Sequence, residues 1–167
     1  DMAHVEKALF VYSTEGRQYL EQITTNAYGT SVTPFSVQEF LGNAEELLRE
    51  TPHVVASLPL NEMKEVLRSI MKHGGSIGFL PLVGQRALRR CYMIPGKVDE
   101  MVEMALRDDP VPLDIVLCNE RILLFKATIG RLPLFDGQKT ENRLKIFWDG
   151  LKRMGSLHLL PFTIETG

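Results

Sequence analysis

The sequence predicts an α/β domain, doubly wound around a mainly parallel sheet, followed by the start of a β-rich second domain. Short, nearly continuous apolar runs suit strands that are buried on both faces of a parallel sheet. Segments of helical periodicity separate these runs, as the crossovers between parallel strands require. Beyond Pro110 and Pro112 the pattern changes to two strand-like runs in close succession.

The first strand is read from Val5 to Ser13, through Ala8, Leu9, Phe10, Val11 and Tyr12. Glu15 to Asn26 follows as a helix, with Tyr19, Leu20 and Ile23 at helical spacing and Ser13 or Thr14 as its N-cap. A weaker strand, Ser31 to Phe35, contains Pro34, and Ser36 caps a helix expected from Val37 to Glu50. His53 to Leu58 is the third strand. Asn61 to His73 is an amphipathic helix with Met63, Val66, Leu67 and Ile70 inward, ended by Gly74-Gly75.

Ser76 to Leu82 supplies the fourth strand, with right-handed crossovers expected throughout. A short helical piece to Tyr92, a break at Pro95-Gly96 and a helix from Lys97 to Asp108 complete residues 1–109, the nucleotide-binding-like α/β domain. Residues 110–167 form the beginning of the β-rich domain: strands Leu113 to Cys118 and Arg121 to Ile129, a helix from Thr140 to Met154, and a strand from Leu157 to Ile164. Asp1 before Met2, and an end at Gly167 just after an apolar stretch, suggest a piece of a longer protein.

Composition narrows the function classes. With 167 residues, 24% charged residues and a net charge of -2, the chain offers no electrostatic basis for binding nucleic acid or an anionic membrane. No apolar run reaches the ~20 residues of a membrane span and no signal-peptide pattern opens the chain, so a cytoplasmic protein without an integral membrane segment is expected. Cys91 and Cys118 lack paired C-x-x-C spacing and are expected as reduced, buried thiols. His4, His53 and His73 have no metal-ligand spacing, so no metal site is expected from them. The composition leaves the oligomeric state open.

Two places invite a ligand. Ser13, Thr14, Gly16 and Arg17 lie where a strand turns into a helix, and a helix N-terminus with hydroxyls and a cation suits an anion such as a phosphate. Ser57 and Asn61 lie at the carboxyl end of the third strand, where open α/β sheets bind ligands. Arg86, Arg89 and Arg90 form a basic stretch that reads either as a phosphate-facing patch or as a solvated helix face.

Several strings carry a family resemblance. Pro112-Leu113-Asp114-Ile115 is followed by Asn119, Arg121 and Ala127-Thr128-Ile129-Gly130, while Gly78-Phe79-Leu80-Pro81-Leu82 stands before Ile94-Pro95. Asn61-Glu62 opens the helix after the third strand, and Glu141-Asn142-Arg143-Leu144-Lys145 and Pro161-Phe162 occur later. In order and spacing these strings resemble the catalytic domain of diacylglycerol kinase and sphingosine kinase-type lipid kinases, which is related to NAD kinases. The resemblance implies a nucleotide-binding α/β domain, ATP with Mg²⁺ as cofactor and a lipid substrate.

The phosphate-handling residues of that family are mostly replaced. Its Gly-Gly-Asp-Gly-Thr turn, which lets backbone N–H groups approach the polyphosphate, falls on Val55-Ala56-Ser57-Leu58-Pro59. Its Pro-x-Gly-Thr-x-Asn-Asp segment reads Pro81-Leu82-Val83-Gly84-Gln85-Arg86-Ala87, in which Gly84 stays available for a turn while Val83 takes a glycine position and Arg86-Ala87 replaces Asn-Asp. Its Asn-Pro-x-x-Gly turn reads Ser13-Thr14-Glu15-Gly16-Arg17. Two readings follow: a divergent lipid-kinase fragment that retains nucleotide or phosphate-ligand binding at Ser13, Thr14, Gly16, Arg17, Ser57, Asn61, Gly84 and Gln85, or an inactive pseudokinase serving as an interaction or regulatory module. The family's catalytic base lies beyond the part of the domain that this chain matches.

Overall fold

The computed structural model describes residues 3–25, 27–118 and 121–124. The helix and strand expected between Thr140 and Ile164 lie outside the described residues. So does the part of the second strand of the hairpin beyond Leu124.

Four parallel strands form one sheet in the order β2-β1-β3-β4: β1 (Lys7–Tyr12), β2 (Ser31–Ser36), β3 (His53–Ser57) and β4 (Ser76–Phe79). Leu9 pairs with Val54 and Tyr12 with Ser57 across β1 and β3, while Tyr12 pairs with Ser36 across β1 and β2. Helices cover both faces, which makes this an α/β fold of the doubly wound kind. That cover explains the unbroken apolar runs. Side chains of β1 alternate, with Leu9 and Val11 facing one layer and Ala8 and Phe10 the other.

On one face, Leu9, Val11, Val54 and Ala56 pack with α2 (Val37–Gly42), α3 (Ala44–Glu50) and α4 (Leu60–His73), through Phe40, Leu48, Met63 and Leu67. The other face joins Phe10, Val55 and Leu80 to α1 (Leu20–Thr25) and α6 (Val98–Ala105), through Ile23, Met101 and Val102. Each such side chain, when fully buried, contributes about 1.5–3 kcal/mol. Between β4 and α6 runs the short α5 (Arg86–Cys91), which sends Leu88 into the first core.

Beyond α6 an antiparallel hairpin pairs β5 (Val116–Cys118) with β6 (Arg121–Leu123). Its Ile122 is buried in the core that contains β1 and β3. Asp1–Phe125 accordingly forms one compact unit, and the boundary expected near Asp109 precedes this hairpin.

Local departures from the expectation have physical causes. The stretch read as one helix from Glu15 begins as a 3-10 helix, Glu15–Tyr19, and becomes α-helical only at Leu20. The helix expected from Val37 to Glu50 breaks at Asn43, whose φ of -131° leaves the helical region. Ser36 caps it as expected: its Oγ accepts from the Glu39 backbone N–H while the Glu39 carboxylate accepts from the Ser36 backbone N–H, a reciprocal capping box. Cys91 is exposed rather than buried, because α5 turns Leu88 inward and Cys91 outward. Among the described residues, no helix is long and apolar enough to cross a membrane.

Candidate functional site at the strand carboxyl ends

The chain leaves β1 toward β2 on one side and leaves β3 toward β4 on the other. The carboxyl ends of β1 and β3 therefore flank the point where open α/β sheets characteristically hold a ligand. Here the chain fills that point itself. Ser13 N–H donates to the Ser57 carbonyl at 3.2 Å, which carries the β1–β3 ladder one residue past the strand.

Gly16 then lies directly on Ser57. A Cβ at position 16 would overlap the Ser57 carbonyl oxygen and stand 2.7 Å from its Oγ and 2.8 Å from its Cβ. Glycine is needed at position 16 because of this contact and not to free the backbone for a ligand. The segment Val54 to Leu58 is 0% exposed throughout, so none of its N–H groups faces an open cradle.

Two further side chains stitch the same edge. The Tyr19 hydroxyl donates to the Pro81 carbonyl at 2.6 Å, and burial holds its pKa above the usual phenol value, partly offset by the Arg89 charge. Gln85 accepts from the Leu82 backbone N–H at 2.9 Å through Oε1 and donates to the Leu58 carbonyl at 2.8 Å through Nε2. The amide thus satisfies the ends of β3 and of the β4 extension at once. The Ser57 hydroxyl is enclosed without a hydrogen-bond partner.

The candidate residues sort into distinct groups. Gly16, Ser57 and Gln85 belong to this closure. Ser13, Thr14 and Arg17 line a separate pocket of about 200 Å³ with Tyr12, Ser36 and Glu62. Asn61 is exposed on the first turn of α4, and Gly84 holds a φ of +93° in the turn that presents Val83 to solvent; neither lines that pocket. Of the arginines, Arg89 donates to the Pro95 carbonyl at 3.0 Å and fastens the loop after α5, whereas Arg86 and Arg90 are exposed. A wider hollow of about 680 Å³ lies among α2, α3 and α4 and contains none of the strand-end residues.

Glu62 and His53 escaped the reading of the sequence as individual site residues. Glu62 was visible only as half of the Asn61-Glu62 pair. His53 is buried, with Nε2 donating to the Ala105 carbonyl at 2.6 Å and Nδ1 2.7 Å from the Ser76 hydroxyl. A carbonyl only accepts, so Nε2 carries the hydrogen and Nδ1 of the neutral ring accepts from Ser76. Burial lowers its pKa, against the opposing effects of the Ala105 hydrogen bond and the Asp108 charge. His53 opens an otherwise apolar strand, and that placement is the one signal of its burial.

Among the described residues, no group of three or more His, Cys, Asp and Glu side chains converges as a metal site requires. Compared with models of known protein families and with curated protein sequences, the chain finds no match.

Proposed function

We propose that this domain keeps the scaffold of a diacylglycerol-kinase-type lipid kinase, has abandoned phosphoryl transfer, and serves in the cytoplasm as an interaction or regulatory module. The scaffold half of this reading rests on the resemblance carried by Pro112 to Ile115, Gly78 to Leu82 and Asn61-Glu62, on a parallel sheet of matching class. The loss of transfer rests on one observation, the contact of Gly16 with a fully buried Ser57. Phosphoryl transfer works almost wholly by positioning and electrostatics, and a polyphosphate must be gripped by backbone N–H groups and a Mg²⁺-linked carboxylate. At this turn the space is taken by Gly16, and Ser57 offers a hydroxyl without charge.

The competing reading is residual binding of a nucleotide phosphate. It is favoured by the convergence of Ser13, Thr14 and Arg17 on one pocket. Glu62 on the same pocket wall opposes it, since a phosphate would meet a like charge there. Incubating the full chain, and the longer protein where one exists, with radiolabelled ATP, Mg²⁺ and diacylglycerol vesicles tests the proposal. It predicts no labelled lipid; transfer that depends on the protein would overturn it.

A further inference from the structure

The pocket beside the closed switch point has a charge pattern of its own. Its lining comes from the ends of β1 and β2, the turn after β1, the 3-10 helix, the start of α2 and α4, and includes Gln38 and the hydroxyl-bearing residues Tyr12, Ser13, Thr14 and Ser36. Arg17 and Glu62 are its one cation and its one anion. Neither pairs with the other, and neither has an ion pair with any other described residue. The Oε2 of Glu62 is enclosed and accepts no hydrogen bond. A partly buried carboxylate without donors is costly, and the fold leaves this one unmet.

We infer that this pocket binds a small zwitterion of the free α-amino acid class, its carboxylate on Arg17 and its ammonium on Glu62. The enclosed Oε2 is out of a ligand's reach, so an ammonium meets Glu62 at its other carboxylate oxygen, and a guanidinium is suited to grip a carboxylate through two parallel bonds. The pocket, of about 200 Å³, is well above the roughly 10–15 Å³ that a single water needs. A phosphate group, carrying about -1.5 to -2 charges, has one cation to meet and Glu62 to repel it. A divalent metal would find one carboxylate and an opposing arginine. The surrounding hydroxyls suit a ligand with a short polar side chain.

This inference does not depend on the loss of phosphoryl transfer, and the experiment separates the two. The full chain, ¹⁵N-labelled, is titrated with L-serine, then with ethanolamine and 3-hydroxypropanoate, which each keep one charge and the hydroxyl, and with ATP and Mg²⁺. L-Serine is expected to give saturable shifts at the amides of Ser13, Thr14, Arg17 and Glu62, with a Kd of about 1 mM or tighter, and each half-ligand to bind about tenfold more weakly or worse. Arg17→Gln and Glu62→Gln are each expected to weaken L-serine by about tenfold or more while the remaining spectrum stays that of the folded chain.

Silence toward L-serine, and toward glycine and L-alanine titrated in the same way, would overturn the inference and leave the proposed function standing. Equal binding of L-serine by both variants would overturn it as well. Shifts at these amides with ATP but not with L-serine would overturn both.

Discussion

Gly16 faces the carbonyl group and side chain of Ser57 so closely that no room is left for a methyl group at position 16. Because the nearest atom belongs to backbone, relief requires a shift of β3 or of the turn after β1. Gly16→Ala is expected to cost about 1–3 kcal/mol, the usual penalty for overpacking, read as a lower urea midpoint with unchanged slope. Adding Ser57→Gly should recover part of the loss, since it removes Cβ and Oγ and leaves the carbonyl in place. Full recovery would show that the backbone contact is slack.

Ser57→Ala alone should have the opposite sign. The hydroxyl is buried and has no partner, so the native state bears its desolvation without a compensating bond. Removing it is expected to raise stability by about 1 kcal/mol. A loss of stability would mean that the hydroxyl is bonded in solution.

Tyr19→Phe removes a buried donor and strands the Pro81 carbonyl. The expected cost is about 1–3 kcal/mol, seen in thermal or urea unfolding. The effect should be constant across pH 6 to 9, because the phenol's raised pKa keeps it protonated throughout that range.

His53 should make stability depend on pH between neutrality and mild acid. Its pKa in the folded chain lies below the ordinary value of 6.5, so the unfolded chain binds the proton more readily. Its contribution is therefore fully present above about pH 6.5 and is lost as the pH falls through the folded value. Urea midpoints measured from pH 8 down to pH 5 should decline for the wild type and decline less for His53→Gln. An identical pH profile for the two proteins would show that His53 does not carry the effect.

Much of the sheet domain was legible because each signal was local. The apolar runs of β1 and β3 and the spacing of Met63, Val66, Leu67 and Ile70 depend only on burial and periodicity. The capping box was half legible: Ser36 announced a helix, but the reciprocal bond from Glu39 depends on rotamers. The break at Asn43 had a warning in Gly42-Asn43, which the strong apolar stripe from Phe40 to Leu48 masked.

The site was less legible, because it depends on which turns meet across the sheet. Gly16 looked like a phosphate-turn glycine, and only the register of Tyr12 with Ser57 shows it facing a neighbouring strand. Gln85 looked like a candidate for phosphate-ligand binding, yet its amide ties Leu58 to Leu82. Glu62 shares a pocket with Arg17 although 45 positions separate them in the chain.

Calorimetric titration of the full chain with ATP and Mg²⁺ tests the central claim most directly. A turn closed by Gly16 on Ser57 predicts no saturable heat up to millimolar ATP. Saturable binding with a Kd well below about 1 mM, accompanied by amide shifts at Ser57 and Leu58, would show that the turn opens to a polyphosphate and would contradict the account.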